Sequence, residues 1–171
     1  MNNSLQHIIW VVGLLISQVF IIDVIDLGTY SSYFTPLIFS FIIFKRRLET
    51  SMPELLIYAF IMGFLIDVFR NTIGLNMSVM LLITIFRTRF LYLISAREDF
   101  DDNVELNLFN IGLLRYLIYF GTVLFTHHFL FFLLEQFSFV NFFALVFKSL
   151  INSIIALVLI AFLQYMFISK K

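Results

Sequence analysis

The run over 142–168 carries a single formal charge, Lys148, and is longer than the roughly 20 residues an α-helix needs to cross about 30 Å of hydrocarbon. Five further apolar runs can be set against the same ruler, at about 6–25, 33–44, 53–69, 75–90 and 111–134. Apolar residues make up 61% of the chain and charged residues 13%, which leaves too little polar surface to coat a water-soluble globule. The expectation is an all-α polytopic membrane protein, about six transmembrane helices in one bundle filling a single integral membrane domain over 1–171. Pro36 and Pro53 each sit in the first turn of a span, where a missing N–H costs nothing. The first apolar run lacks a basic flank and a small-residue cleavage site, so it is expected to persist as a span.

Formal charge is zero and cysteine is absent, which removes a nucleic-acid signature, a disulfide framework, a thiolate nucleophile and a cysteine zinc cluster. No Walker loop, GxGxxG, HExxH or nucleophile elbow occurs. Neither a catalytic group nor a metal or cofactor is therefore expected.

Basic residues set the orientation, because positively charged loops stay in the cytoplasm. Lys45, Arg46 and Arg47 follow the second run, Arg87, Arg89 and Arg97 close the fourth, and Lys170 and Lys171 end the chain, whereas the alternate connections hold Arg70. Six spans then put both termini in the cytoplasm. The connection at 94–107 is acidic, with Glu98, Asp99, Asp101, Asp102 and Glu105 against Arg97. It is a solvated loop or a docking surface for a basic segment.

Charge inside a membrane is costly and faces a bundle interior or a partner. In FIMGFLIDVFRNTIGLN, at 60–76, Asp67 and Arg70 stand three apart on one helical face and can pair with each other or meet another helix. Ala59, Gly63, Asp67 and Asn71 recur every four residues, a small and polar stripe that admits close helix approach. Lys148, Ser149, Asn152, Ser153 and Ala156 form a second stripe, with Lys148 either snorkelling outward or meeting Asp67. Gly13 and Ser17 make a weaker third. His127 and His128 are expected to pack rather than bind metal, since adjacent helical residues point about 100° apart. Glu135 and Arg115 should reach toward headgroups.

Gly63, Asp67 and Gly74 in GFLIDVFRNTIGLN resemble the glycine, aspartate and leucine-glycine hallmark of the rod shape-determining protein MreD family, and the size and span count agree. Arg70 and Asn71 depart from the small residues that often follow the aspartate in that family. The resemblance implies an architecture similar to the substrate-binding subunit of energy-coupling-factor transporters. It also implies a non-catalytic inner-membrane scaffold of the bacterial elongation complex, with MreC, MreB, RodA, the elongation transpeptidase (a penicillin-binding protein) and membrane lipid as partners. Candidate helix-packing or partner contacts are Gly63, Asp67, Arg70, Gly74, Lys148 and Asn152. The rival function is vitamin or metal capture as the membrane subunit of such a transporter.

Overall fold

The computed structural model describes residues 3–72, 74–94 and 104–167. Arg97, Glu98, Asp99, Asp101 and Asp102 of the acidic connection, and the terminal lysines, lie outside the described residues. Within them the chain is helical, in the order α1 (Asn3–Ile16), a π-helical continuation (Ser17–Ile22), a 3₁₀ turn (Gly28–Tyr33), a second 3₁₀ turn (Ile38–Ser40), α2 (Phe41–Phe44), α3 (Met52–Arg70), α4 (Leu75–Ile85), α5 (Arg87–Tyr92), α6 (Leu108–Ile111), α7 (Leu113–Gln136) and α8 (Phe142–Phe167).

Three of these, α3, α7 and α8, are long and apolar enough to cross a membrane. Their outward faces are as apolar as their inward ones. On α3, Leu55, Ala59, Met62 and Ile66 are buried, while Ile57, Phe60, Ile61, Phe64 and Val68 are exposed. A helix that is hydrophobic all round and still presents one face outward belongs in lipid.

Local chemistry accounts for the ends of α3. Ser51 precedes it in extended backbone, Pro53 occupies the first turn, and Glu54 places negative charge at the positive end of the helix dipole. It stops at Asn71, whose left-handed φ of 55° closes the C-terminus. The α3–α4 hairpin is the most extensively packed pair, followed by α7–α8, and α4 lies against α7.

The second expected span is not a transmembrane helix, and this corrects the sequence expectation. The chain makes a 3₁₀ turn started by Asp26, whose Oδ1 accepts from Gly28 N and Ser31 Oγ at 2.8 Å each. The Ser31 hydroxyl and then the Gly28 N–H hold that carboxyl below its ordinary pKa. From Phe34 to Leu37 the chain runs without helical structure, then coils briefly through Ile38–Ser40 and α2. Every residue from Pro36 to Lys45 is buried. Irregular backbone survives at membrane depth where protein encloses it and satisfies its polar groups. The hydrophobic run at 33–44 is apolar because its stretch over 36–44 lies in the core of the bundle, with Leu37, Phe39, Ile43 and Phe44 fully enclosed.

Other boundaries shift as well. The first span continues as a π-helix beyond Ile16, with Asp23 N donating five residues back to Gln18 O. The fourth breaks at Phe86, so that α4 and α5 replace one helix over 75–90. The third, fifth and sixth expected spans agree with α3, α7 and α8 to within about two residues at the described ends.

Lys45, Arg46, Arg47 and Arg87 gather at one end. Arg87 donates to the carbonyls of Arg46 and Arg47 at 2.6 and 3.0 Å, closing the exit from α2. Arg46 pairs with Glu54 and lies over the Tyr58 ring. Lys45 lies over Trp10 and 3.8 Å from Glu105. Burial pulls its ammonium below the ordinary lysine range, with Glu105 opposing.

Candidate helix-packing site

At the opposite end Asp67 and Arg70 each bind a separate partner. The expected mutual pair does not form. Asp67, buried on α3, faces the N-terminus of α4, where backbone N–H groups lack intrahelical acceptors. Its Oδ1 accepts from Asn76 N and Asn76 Nδ2 at 2.9 Å each, and from the Thr72 hydroxyl. Its Oδ2 accepts from Met77 N at 2.9 Å. A carboxylate against a helix N-terminus is stabilised by those donors and by the macrodipole together. Asp67 therefore caps α4 from another helix.

Gly74 starts α4 with φ +68°, a left-handed conformation that side chains resist, and a Cβ there would meet nothing closer than Met77 Cε at 3.6 Å. Its role is backbone geometry. Gly63 is the close approach: a Cβ on it would lie 2.4 Å from Met77 Cα and 2.8 Å from Met77 N. The face of Gly63 is filled by α4, so it is not a lateral surface for another protein. A Cβ on Gly13 would meet nothing within 4 Å, so no described helix of this chain packs closely at that member of the third stripe.

Arg70 reaches the end of the first helix instead, its Nε donating to Asp23 Oδ2 at 2.7 Å and its terminal nitrogen to Asp23 Oδ1. The planar fork of the guanidinium suits this two-point grip. Asp23 Oδ1 also accepts from Gln18 Nε2 at 2.9 Å, and Gln18 Oε1 accepts from the backbone N–H of Ile38 at 3.0 Å. A continuous chain of bonds thus runs from α3 through α1's π-helical extension to the start of the second 3₁₀ turn, where the non-helical segment ends.

Two more side chains hold that segment. Asn152 Oδ1 accepts from Thr35 N at 2.5 Å, and His128 Nε2 accepts from Leu37 N at 3.0 Å. His128 Nδ1 donates to the Leu124 carbonyl at 2.7 Å, which fixes Nε2 as the unprotonated acceptor. Gln18, His128 and Asn152 are all fully buried. The stripe on α8 thus meets the irregular segment at Asn152 and α7 at Lys148, while the Ser149 and Ser153 hydroxyls turn back to the carbonyls of Leu145 and Leu150. His127, next door, packs edge-on to Phe39, and its ring nitrogens have no partner among the described residues.

Lys148 does not meet Asp67. Its Nζ lies 3.9 Å from Glu135 and 3.9 Å from the centre of the Phe132 ring, at the mouth of the α7–α8 hairpin. Glu135 therefore faces Lys148, not headgroups alone. Among the described residues no group of three histidines or carboxylates is placed to hold a metal ion.

Sequence reasoning passed over Asp23, Gln18, Thr72, Asn76 and the capping role of His128. The signal available for Gln18 and Asn76 was an uncharged amide within an apolar run, where burial demands a partner. Comparison with protein-family models, with curated proteins and with solved structures finds no match to this chain.

Proposed function

We propose that this chain is a non-catalytic membrane scaffold, a class in which intramembrane polar groups hold helices in register and the outer surface serves other proteins. Within that class we propose an MreD-like component of the bacterial elongation complex, in the inner membrane beside MreC, MreB, RodA and the elongation transpeptidase. It would link cytoplasmic filaments to peptidoglycan synthesis and so maintain cell shape. The observation that carries the reading is the Asp67 carboxylate: both oxygens are taken up by donors from the start of α4, so the most conspicuous charge of the MreD-like motif builds the hairpin.

Six crossings with both termini cytoplasmic belong to the same proposal. The chain over 34–44 supports it, because four non-helical residues, one 3₁₀ turn and α2 can advance at most roughly 25 Å, toward the hydrocarbon thickness, where a helix of 11 residues would cover about 17 Å. Clustering of Lys45, Arg46, Arg47 and Arg87 at one end agrees with that end facing the cytoplasm.

Depletion of the protein in a rod-shaped host, with and without rich supplementation, tests the function. The scaffold predicts rounding that persists in rich medium, and recovery by the wild-type chain. A transporter subunit of the energy-coupling-factor type predicts rescue by a vitamin or metal, which would overturn the proposal.

A further inference from the structure

A cleft of about 300 Å³ opens between the C-terminal end of α7 and the N-terminal end of α8, lined by Tyr33, Phe132, Glu135, Gln136, Asn141 and Lys148 among others. Its size is at the low end for small-molecule sites, about 300 to 1,000 Å³, and suits a compact polar group. Lys148 stands in a helix long and apolar enough to span a membrane, with its side chain 23% exposed. At 3.9 Å from Glu135 it is beyond hydrogen-bond reach, and its ammonium makes no hydrogen bond among the described residues. A partly buried cation that has an ion-pair neighbour and a ring face but no direct hydrogen bond still has N–H donors to offer an anionic oxygen. Glu135, 51% exposed, has acceptors to offer a cation beside Lys148 in the same cleft.

The backbone carries the same polarity. The negative end of the α7 dipole lies at Glu135 and Gln136, and the positive end of the α8 dipole begins at Phe142. Opposite charges and opposite helix ends side by side match a dipolar ligand rather than a simple anion. Lys148 already covers the face of Phe132, so a ligand cation is left to Glu135, which favours an ammonium with N–H donors over a quaternary amine.

We infer that this cleft binds a phosphoethanolamine group, its phosphate at Lys148 and its ammonium at Glu135, supplied as the headgroup of a bilayer phospholipid. The cleft lies at the end of two helices that are long and apolar enough to span a membrane, where a lipid headgroup arrives already oriented. This site stands whether or not the chain serves cell shape.

The test is native mass spectrometry of the full-length protein released from nanodiscs containing equal phosphatidylethanolamine, phosphatidylcholine and phosphatidylglycerol. Wild type should retain phosphatidylethanolamine over the other two by about tenfold, the scale of one contact worth roughly 1.4 kcal/mol. Lys148→Met should abolish the preference, Lys148→Arg should keep it, and Glu135→Gln should move it toward phosphatidylglycerol. Circular dichroism of each variant confirms that helix content is unchanged. Identical lipid profiles in wild type and Lys148→Met would overturn the site. Retention of phosphatidylglycerol above phosphatidylethanolamine by wild type would overturn the dipolar assignment. Displacement of the bound lipid by millimolar soluble glycerophosphoethanolamine would reassign the site to a free metabolite and overturn the lipid source.

Discussion

Replacing Gly63 with alanine adds one methyl group where the backbone of α4 lies directly against α3. The new Cβ would lie 2.4 Å from Met77 Cα, and ordinary contact begins near 3.4 Å, so α3 and α4 must part by about 1 Å. The obstructing atoms are backbone, which cannot rotate aside as a side chain would. Overpacking of this kind costs about 1 to 3 kcal/mol. The displacement also lengthens the bonds from Asn76 N and Met77 N to Asp67, which stand at 2.9 Å and would pass the hydrogen-bond limit. Polar contacts between membrane helices contribute roughly 0.5 to 2 kcal/mol, so the total should be about 1.5 to 5 kcal/mol. Reversible unfolding in mixed micelles measures it, with Gly121→Ala as the control. A Cβ on Gly121 meets nothing within 4 Å, and alanine is the better helix former by about 0.5 to 1 kcal/mol, so that variant should be neutral or stabilised. If Gly63→Ala proves as stable as Gly121→Ala, the close approach of α3 to α4 is refuted.

The adjacent histidines should respond oppositely to phenylalanine. His128→Phe strands the buried Leu37 N–H and should destabilise by about 1 to 3 kcal/mol, whereas His127→Phe removes two nitrogens without a partner among the described residues and should be neutral or stabilising in the same unfolding assay. Hydrogen exchange at Leu37 and Ile38 should be slow although both N–H groups bond side chains rather than backbone, and Gln18→Leu should quicken it at Ile38 first. Because the chain has no native cysteine, single cysteines placed near Arg47, Asp102 and Lys171 should be shielded from an impermeant reagent in intact cells, and those near Thr29, Thr72 and Ser138 should label. Labelling at Asp102 from outside would reverse the orientation.

How much was legible in the sequence depended on whether a residue's environment followed from its own stretch of chain. The spans that became α3, α7 and α8 were legible because their apolar runs are long and a helix satisfies its own backbone. Gly63 was legible as a close-approach residue from its four-residue spacing with Ala59 and Asp67, although not that α4 is what approaches. The run at 33–44 misled because hydropathy reports burial and not backbone conformation; the caps that let it stay non-helical come from Gln18, His128 and Asn152, far away in sequence. Asp67 and Arg70 misled for the same reason. Their three-residue spacing allowed a local pair, but the N-terminus of α4 offers Asp67 several aligned donors, and Asp23 offers Arg70 a two-point acceptor.

The claim that these two charges fasten separate helix junctions is tested most directly by two double-mutant cycles sharing one member, Asp23→Asn with Arg70→Met and Asp67→Asn with Arg70→Met. Unfolding free energies in the same micelles give both coupling terms. The structure predicts about 0.5 to 2 kcal/mol of coupling for Asp23 with Arg70, as for other polar contacts between membrane helices, and additivity to within about 0.5 kcal/mol for Asp67 with Arg70. Coupling of Asp67 to Arg70 as large as that of Asp23 to Arg70 would contradict it, returning both charges to a single local pair and leaving the first turn of α4 without its cap.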